Sequence, residues 1–191
     1  KRIDIEGMKR DFGLDLTHEG EFSLKGAALM ASIIELVEQG LPDETVVYFL
    51  DADIENLTTI NPLLHLEFAA HQLGESVPFL KCAHHDRENE LVLAYCDFNR
   101  REWIRHLSYF VWPLCGQVRA PLGLLKRLML ATGYGVEVAM AAHALQLLGF
   151  KGVGQVQLIG QLVDRGGPTS KYVPMFGLIR EVLGRIGNLG T

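Results

Sequence analysis

The chain has 191 residues, 48% of them hydrophobic, with 18 Lys and Arg against 23 Asp and Glu for a formal charge of −5. That length and apolarity can bury a core as one domain over residues 1–191, 21% charged residues are too few for a disordered chain, and the acidic balance excludes a general nucleic-acid binder, which needs a basic surface. No apolar run approaches the roughly 20 residues of a membrane span, no signal peptide is recognisable, and Cys82, Cys96 and Cys115, without a Cys-x-x-Cys pair, read as reduced thiols of a cytoplasmic protein.

Residues 1–24 are polar and mixed, without clear periodicity. From 26 to 39 the apolar positions Leu29, Met30, Ile33, Ile34 and Val37 recur at helical spacing, and Gly40 and Pro42 end that helix. Residues 45–50 are β-branched and aromatic without a charge, which predicts a strand buried on both faces. A helix over 62–73 follows, with Asn61 as its cap and Pro62 in its first turn. Strands are expected at 77–82 and 91–96, joined by a polar hairpin turn over 84–90. Residues 99–111 read as a helix stopped by Pro113, 113–119 as a connection, and 121–130 and 134–148 as two further helices. A strand over 153–158 and a closing helix over 172–186 complete the chain. Helices alternating with buried strands predict an α/β fold, a three-layer Rossmann-like arrangement on a mostly parallel mixed sheet.

Several residues could carry chemistry. Asp51-Ala52-Asp53 sits where a strand ends, the place where open α/β sheets bind ligands. Two carboxylates there can share a hydrated divalent cation and a diphosphate or ribose; a turn capping the next helix is the plainer alternative. Lys25-Gly26 opens a helix and can meet a phosphate, or be an ordinary solvated lysine. In Thr132-Gly133-Tyr134-Gly135-Val136-Glu137 the glycines let backbone approach a ligand. Glu137 then either accepts from sugar hydroxyls or simply answers the helix dipole. Arg119, after Cys115-Gly116-Gln117-Val118, is a candidate anion contact. Cys115 has no basic neighbour in sequence to make it a nucleophile. His65 and His71 fall on different faces of one helix, and His84-His85 in a turn; none has metal-site spacing.

Separately weak, these signals fall in a telling order. Lys25-Gly26-x-Ala28-Leu29, Phe49-Leu50-Asp51-Ala52-Asp53-Ile54, Pro113-Leu114-Cys115-Gly116, Gly133-Tyr134-Gly135-Val136-Glu137 and Gly154-Gln155-Val156 resemble the retaining GT-A-fold glycosyltransferases typified by glucosyl-3-phosphoglycerate synthase, with mannosylglycerate synthases more distant. The resemblance covers roughly residues 22–158. It implies a metal-dependent hexosyltransferase using Mg²⁺ or Mn²⁺ and a UDP- or GDP-hexose, with a small anionic acceptor such as 3-phosphoglycerate or glycerate. It places Asp53 at the metal, Lys25, Asp51, Gly133, Tyr134 and Gly135 at the donor, Glu137 on the transferred sugar as the catalytic position, and Gly116 and Arg119 at the acceptor. A homodimer is expected, with the closing helix 172–186 able to bury apolar residues at a partner.

The departures define the alternative. The family begins with a nucleotide-binding strand and loop that has no counterpart here; the chain starts Lys1-Arg2-Ile3, so a start further upstream is expected. Gln117 stands where the family has Glu, and Cys115 where it has Ser. The family's metal-site His after the last strand has no match, leaving Asp164 as a candidate replacement, and its Gly-Arg-Val-Thr stretch is absent between Leu91 and Trp112. These differences favour the other reading, a non-catalytic nucleotide-sugar-binding or scaffolding domain.

Overall fold

The computed structural model describes residues 17–18, 21–22, 24–83, 102–111, 114–131, 135–160, 162–163 and 172–186. Two short strands, β1 (Thr17–His18) and β2 (Glu21–Phe22), form a small antiparallel pair. Helix α1 (Leu24–Glu38) follows. Its end is set by Gly40, at φ 72°: the Gly40 amide bonds Val37 O and the Leu41 amide bonds Leu36 O, the paired closure that a left-handed residue after a helix permits.

The main sheet contains β3 (Val46–Phe49), β4 (Phe79–Ala83), β5 (Val118–Pro121) and β6 (Val153–Gln157), in the order β3-β5-β4-β6. It is mixed: β4 and β6 are parallel, whereas β5 runs antiparallel to both β3 and β4. Strand β5 is the main departure from the sequence expectation. Residues 113–119 read as a connection, yet Val118 to Pro121 form an inner strand, and the helix expected over 121–130 contracts to α4 (Leu122–Leu125). Only Val118 and Ala120 are apolar and buried in that strand, too short an alternation to register beside Gln117 and Arg119. A second correction concerns β3, which lies at one edge of the described sheet. Val46 is 40% exposed and only Phe49 is buried, so it is not enclosed on both faces.

Helix α2 (Pro62–Leu73) matches its expected bounds because the local chemistry fixes both ends. The Asn61 side chain accepts from the Leu63 amide at 3.0 Å, Pro62 occupies the first turn, and Gly74, at φ 69°, closes the helix. Within the helix expected over 99–111, the described residues form α3 (Glu102–His106) followed by a 3₁₀ turn at Leu107–Tyr109. Helix α5 (Val136–Leu148) is buried from 136 to 145 without a break, and its alanines allow close packing on all sides. Helix α6 (Tyr172–Ile186) sets Ile179, Val182, Leu183 and Ile186 into the same core. Those residues therefore serve the chain's own interior.

Two apolar clusters flank the sheet. One joins Ile33 of α1, Phe49, Phe79, Val118 and the buried faces of α5 and α6. The other joins Leu66 of α2 to Leu80, Cys82, Cys115 and Leu158. Helices thus cover both faces, giving the α/β/α layering expected. The strand expected at 91–96, the turn at 84–90, Cys96, Pro113, Gly133, Tyr134 and Asp164 lie outside the described residues.

Candidate functional site

The site forms where the end of β3, the start of β5 and the first turns of α1 and α5 meet. The antiparallel register sets Phe49 opposite Val118, so the residues just beyond each, Asp51 and 115–117, arrive at the same edge. Lys25 projects from the first turn of α1, and its Nζ bridges Asp51 Oδ1 and Glu137 Oε1. The second Asp51 oxygen accepts from Gln117 Nε2 at 2.8 Å. Gln117 Oε1 in turn accepts from the Cys115 thiol at 2.7 Å. Gly116 lies directly against the Asp51 carboxylate, where any Cβ would overlap it.

Beneath this pair lies a second cation. Lys81, wholly buried in the middle of β4, donates from Nζ to the Cys115 carbonyl. Sequence reasoning placed a strand through Lys81 without singling it out. The available signal was a lone charge inside the apolar run Phe79-Leu80-Lys81-Cys82-Ala83.

Burial governs the electrostatics. It pulls the Lys25 ammonium down, but Glu137 and Asp51 outweigh it and hold its pKa above the ordinary 10.5. The Glu137 side chain is only 5% exposed, and burial raises its pKa although Lys25 and Lys81 oppose that shift. The two shifts look discordant for one ion pair. They agree once the costs are separated, because Glu137 is enclosed whereas Lys25 is 36% exposed and keeps part of its hydration. Burial also lowers the pKa of Lys81 and pushes the Cys115 thiol up to about 11, which leaves that sulfur protonated and unreactive. Glu137 Oε2 is buried without a hydrogen-bond partner among the described residues. An unmatched carboxylate oxygen in such a place is costly unless a ligand donor completes it.

The structure therefore brings together Lys25, Asp51, Glu137 and Gly116, with Gly135 buried at the start of α5. Asp53 is exposed just beyond Asp51. Arg119 does not join them. Its Nε donates to Glu67 of α2 at 3.0 Å and to the Tyr48 hydroxyl at 3.2 Å. Gly116, expected at the acceptor, packs against the Asp51 carboxylate. His65 is structural, with Nδ1 against Asn61 O at 2.9 Å and Nε2 accepting from the Ile159 amide. Among the described residues no group of three or more His, Cys, Asp or Glu could hold a metal ion by itself, and no helix is long and apolar enough to cross a membrane.

The layering, the mixed sheet and a lysine, an acidic strand end and a helix-start glutamate at one edge define a GT-A-like glycosyltransferase fold. Solved structures bear this out, among them several of glucosyl-3-phosphoglycerate synthase from Mycobacterium tuberculosis. The complex with phosphoglyceric acid superposes with a TM-score of 0.68 at 26% identity, over 85% of this chain and 54% of that one. The complex with Mn²⁺ and UDP-glucose gives 0.65 at 28% identity over the same shares. The complex with Mn²⁺, UDP-glucose and phosphoglyceric acid gives 0.70 at 24% identity, over 94% and 59%. The chain thus spans little more than half the length of these neighbours. No family model matches the sequence, and no curated protein does so either.

Proposed function

We propose that the chain carries the donor-sugar site of a retaining, metal-dependent glycosyltransferase. It would move a hexose from a UDP- or GDP-sugar to a small anionic acceptor such as 3-phosphoglycerate or glycerate. The observation that most supports this is the unmatched Glu137 Oε2 beside the Lys25 ammonium: a buried acceptor that a sugar hydroxyl would complete, next to a cation that can meet phosphate. The neighbours of similar fold hold UDP-glucose with Mn²⁺ or phosphoglyceric acid, which supports the same substrate classes here.

The residues divide the work. Lys25 remains charged at any ordinary pH and would stabilise the negative charge that builds on the departing diphosphate. Glu137 would orient the sugar ring through its hydroxyls. Gln117 and Gly116 fix Asp51, which keeps Lys25 in place. With both Asp51 oxygens engaged, Asp53 is the free carboxylate, and one carboxylate fits a Mg²⁺ or Mn²⁺ that completes its shell with donor phosphates and water. Such a cation neutralises the leaving group. Attack on the face from which the nucleotide departs would preserve the anomeric configuration.

One observation favours the second reading, donor binding without transfer: the Gln117 amide, standing where the resembling family has Glu, is committed to Asp51. Calorimetric titration of the full-length protein with UDP-glucose and GDP-mannose tests both readings. Binding should require Mn²⁺ or Mg²⁺, and chelation or Asp53→Ala should abolish it while leaving the fold intact. Release of nucleotide on adding 3-phosphoglycerate or glycerate marks the enzyme, and binding without release marks the second reading. Failure of every nucleotide sugar to bind in the presence of the cation overturns both.

A further inference from the structure

We infer that Lys81 is a positioning residue for the donor site, pinning the Cys115 carbonyl so that Gly116 and Gln117 hold Asp51 turned toward Lys25. The inference deepens the proposed donor-binding reading and rests on it. Lys81 lies in the centre of the sheet, opposite Val118 of β5 and Gln155 of β6, with no exposed surface. An ammonium in that position is stripped of water, whereas an apolar side chain of the same length would fill the space without that cost. Packing therefore does not explain it. What the ammonium does is bond one carbonyl, Cys115 O.

That carbonyl begins the segment on which Asp51 depends. Over three consecutive residues, the Cys115 thiol fixes the Gln117 amide, Gly116 leaves the space the carboxylate occupies, and Gln117 Nε2 donates to it. Among the described residues the segment is fastened to β4 by a backbone contact and by a side-chain contact. One is the Cys82 amide to Gln117 O at 3.0 Å, a backbone bond that nearly any residue would supply. The other is the Lys81 side chain, a contact that depends on the residue type. By strand alternation Lys81 shares the Phe79 face, the side of the sheet covered by α5, so its charge also lies near Glu137, Lys25 and Asp51.

The test compares the full-length wild type with Lys81→Met, which keeps the length without a donor, and Lys81→Gln, which keeps a donor without the charge. Three readouts are followed: thermal melting, the side-chain amide NMR signals of Gln117 (assigned by Gln117→Leu), and affinity for UDP-glucose and for UDP with Mn²⁺. Lys81→Met should melt no lower than a few degrees below wild type. Its Gln117 amide signals should move, and UDP-glucose affinity should fall by roughly tenfold to a hundredfold, the usual effect of losing a group that orients a ligand. UDP affinity should fall with it, because Asp51 keeps in place the Lys25 that meets the diphosphate, and Lys81→Gln should fall between the two proteins in both readouts. Unmoved Gln117 signals in Lys81→Met would overturn the inference. So would affinities that fall in both variants only as far as the loss of folded protein accounts for, the mark of a purely structural lysine. If wild type binds no UDP-glucose while the Gln117 signals still respond to Lys81→Met, the donor reading fails and the positioning of Asp51 by Lys81 stands.

Discussion

Replacing Lys25 by Met isolates the contribution of the bridging ammonium, because Met preserves the side chain's length and apolar stem. In the native chain that ammonium holds both Asp51 and Glu137. Without it Glu137, 5% exposed and already short of one partner, becomes a stranded buried charge. Removing one member of a buried pair costs about 3–5 kcal/mol. Lys25 is 36% exposed, so solvent screens the pair and roughly half of that figure survives, about 2 kcal/mol. For a chain of this size that is a fall of about 4–8 °C in melting temperature, measurable by circular dichroism at pH 7.5. Adding Glu137→Gln to Lys25→Met removes the stranded charge, so the double variant should regain most of the loss, and the cycle of four proteins gives the coupling. The pH dependence has a definite sign. Glu137 and Asp51 raise the Lys25 pKa above 10.5 against the pull of burial, so its contribution is complete below about 10.5 and is lost as pH rises through the folded value. A loss under about 0.5 kcal/mol, the range of ordinary surface substitutions, or a double variant no more stable than Lys25→Met, would refute this account of the bridge.

Glu137→Gln alone should not lower the melting temperature at pH 7. Burial raises this carboxyl despite Lys25, so the stability linked to it is present below about pH 4.5 and lost as pH rises through the folded value. The same variant should weaken nucleotide-sugar binding relative to nucleotide by about 1.5–3 kcal/mol, the worth of a charged hydrogen bond, as titration calorimetry would show. Gly116→Ala should displace the Asp51 carboxylate, costing about 1–3 kcal/mol in urea unfolding and abolishing donor binding; wild-type values in both would contradict the packing described. Gln117→Glu sets a second carboxylate 2.8 Å from Asp51 in place of a donor, so it should destabilise the fold at neutral pH and fail to raise turnover. A gain in activity would count against the role given to Gln117.

How much of this was legible in the sequence depended on whether the signal was local. Helix α2 was readable to the residue, because Asn61, Pro62 and Gly74 mark its ends with chemistry confined to a few neighbours. The α/β layering followed from periodicity in the same way. Strand β5 was not readable, since its place is decided by pairing with β3 and β4 and its own sequence alternates for only four residues. Lys25, Asp51 and Glu137 stood out as candidates by their order along the chain, and the structure brings them together. The residues that support Asp51 could not be found so: Gln117 looked like a departure from a family pattern, and Lys81 passed unremarked within a strand. Both reach their places only through the sheet. Arg119 pairs through Nε with Glu67 of α2, a contact its place in the sequence did not announce.

The insertion of β5 between β3 and β4 also fixes when the cluster can exist during folding. Strands β3 and β4 lie earlier in the chain than the strand that joins them, so neither can complete its pairing until residues 118–121 arrive. Asp51 waits for Gln117, 66 residues further along, and Lys25 waits for Glu137, later still. Contacts of such separation form slowly, because the loop between them must close before it is rewarded. A chain halted before Val118 has β3 and β4 with nothing to link them. Any ligand that draws on Lys25, Asp51 and Glu137 at once will therefore recognise only the finished fold, and will stabilise it against global unfolding in proportion to the logarithm of its concentration over its Kd.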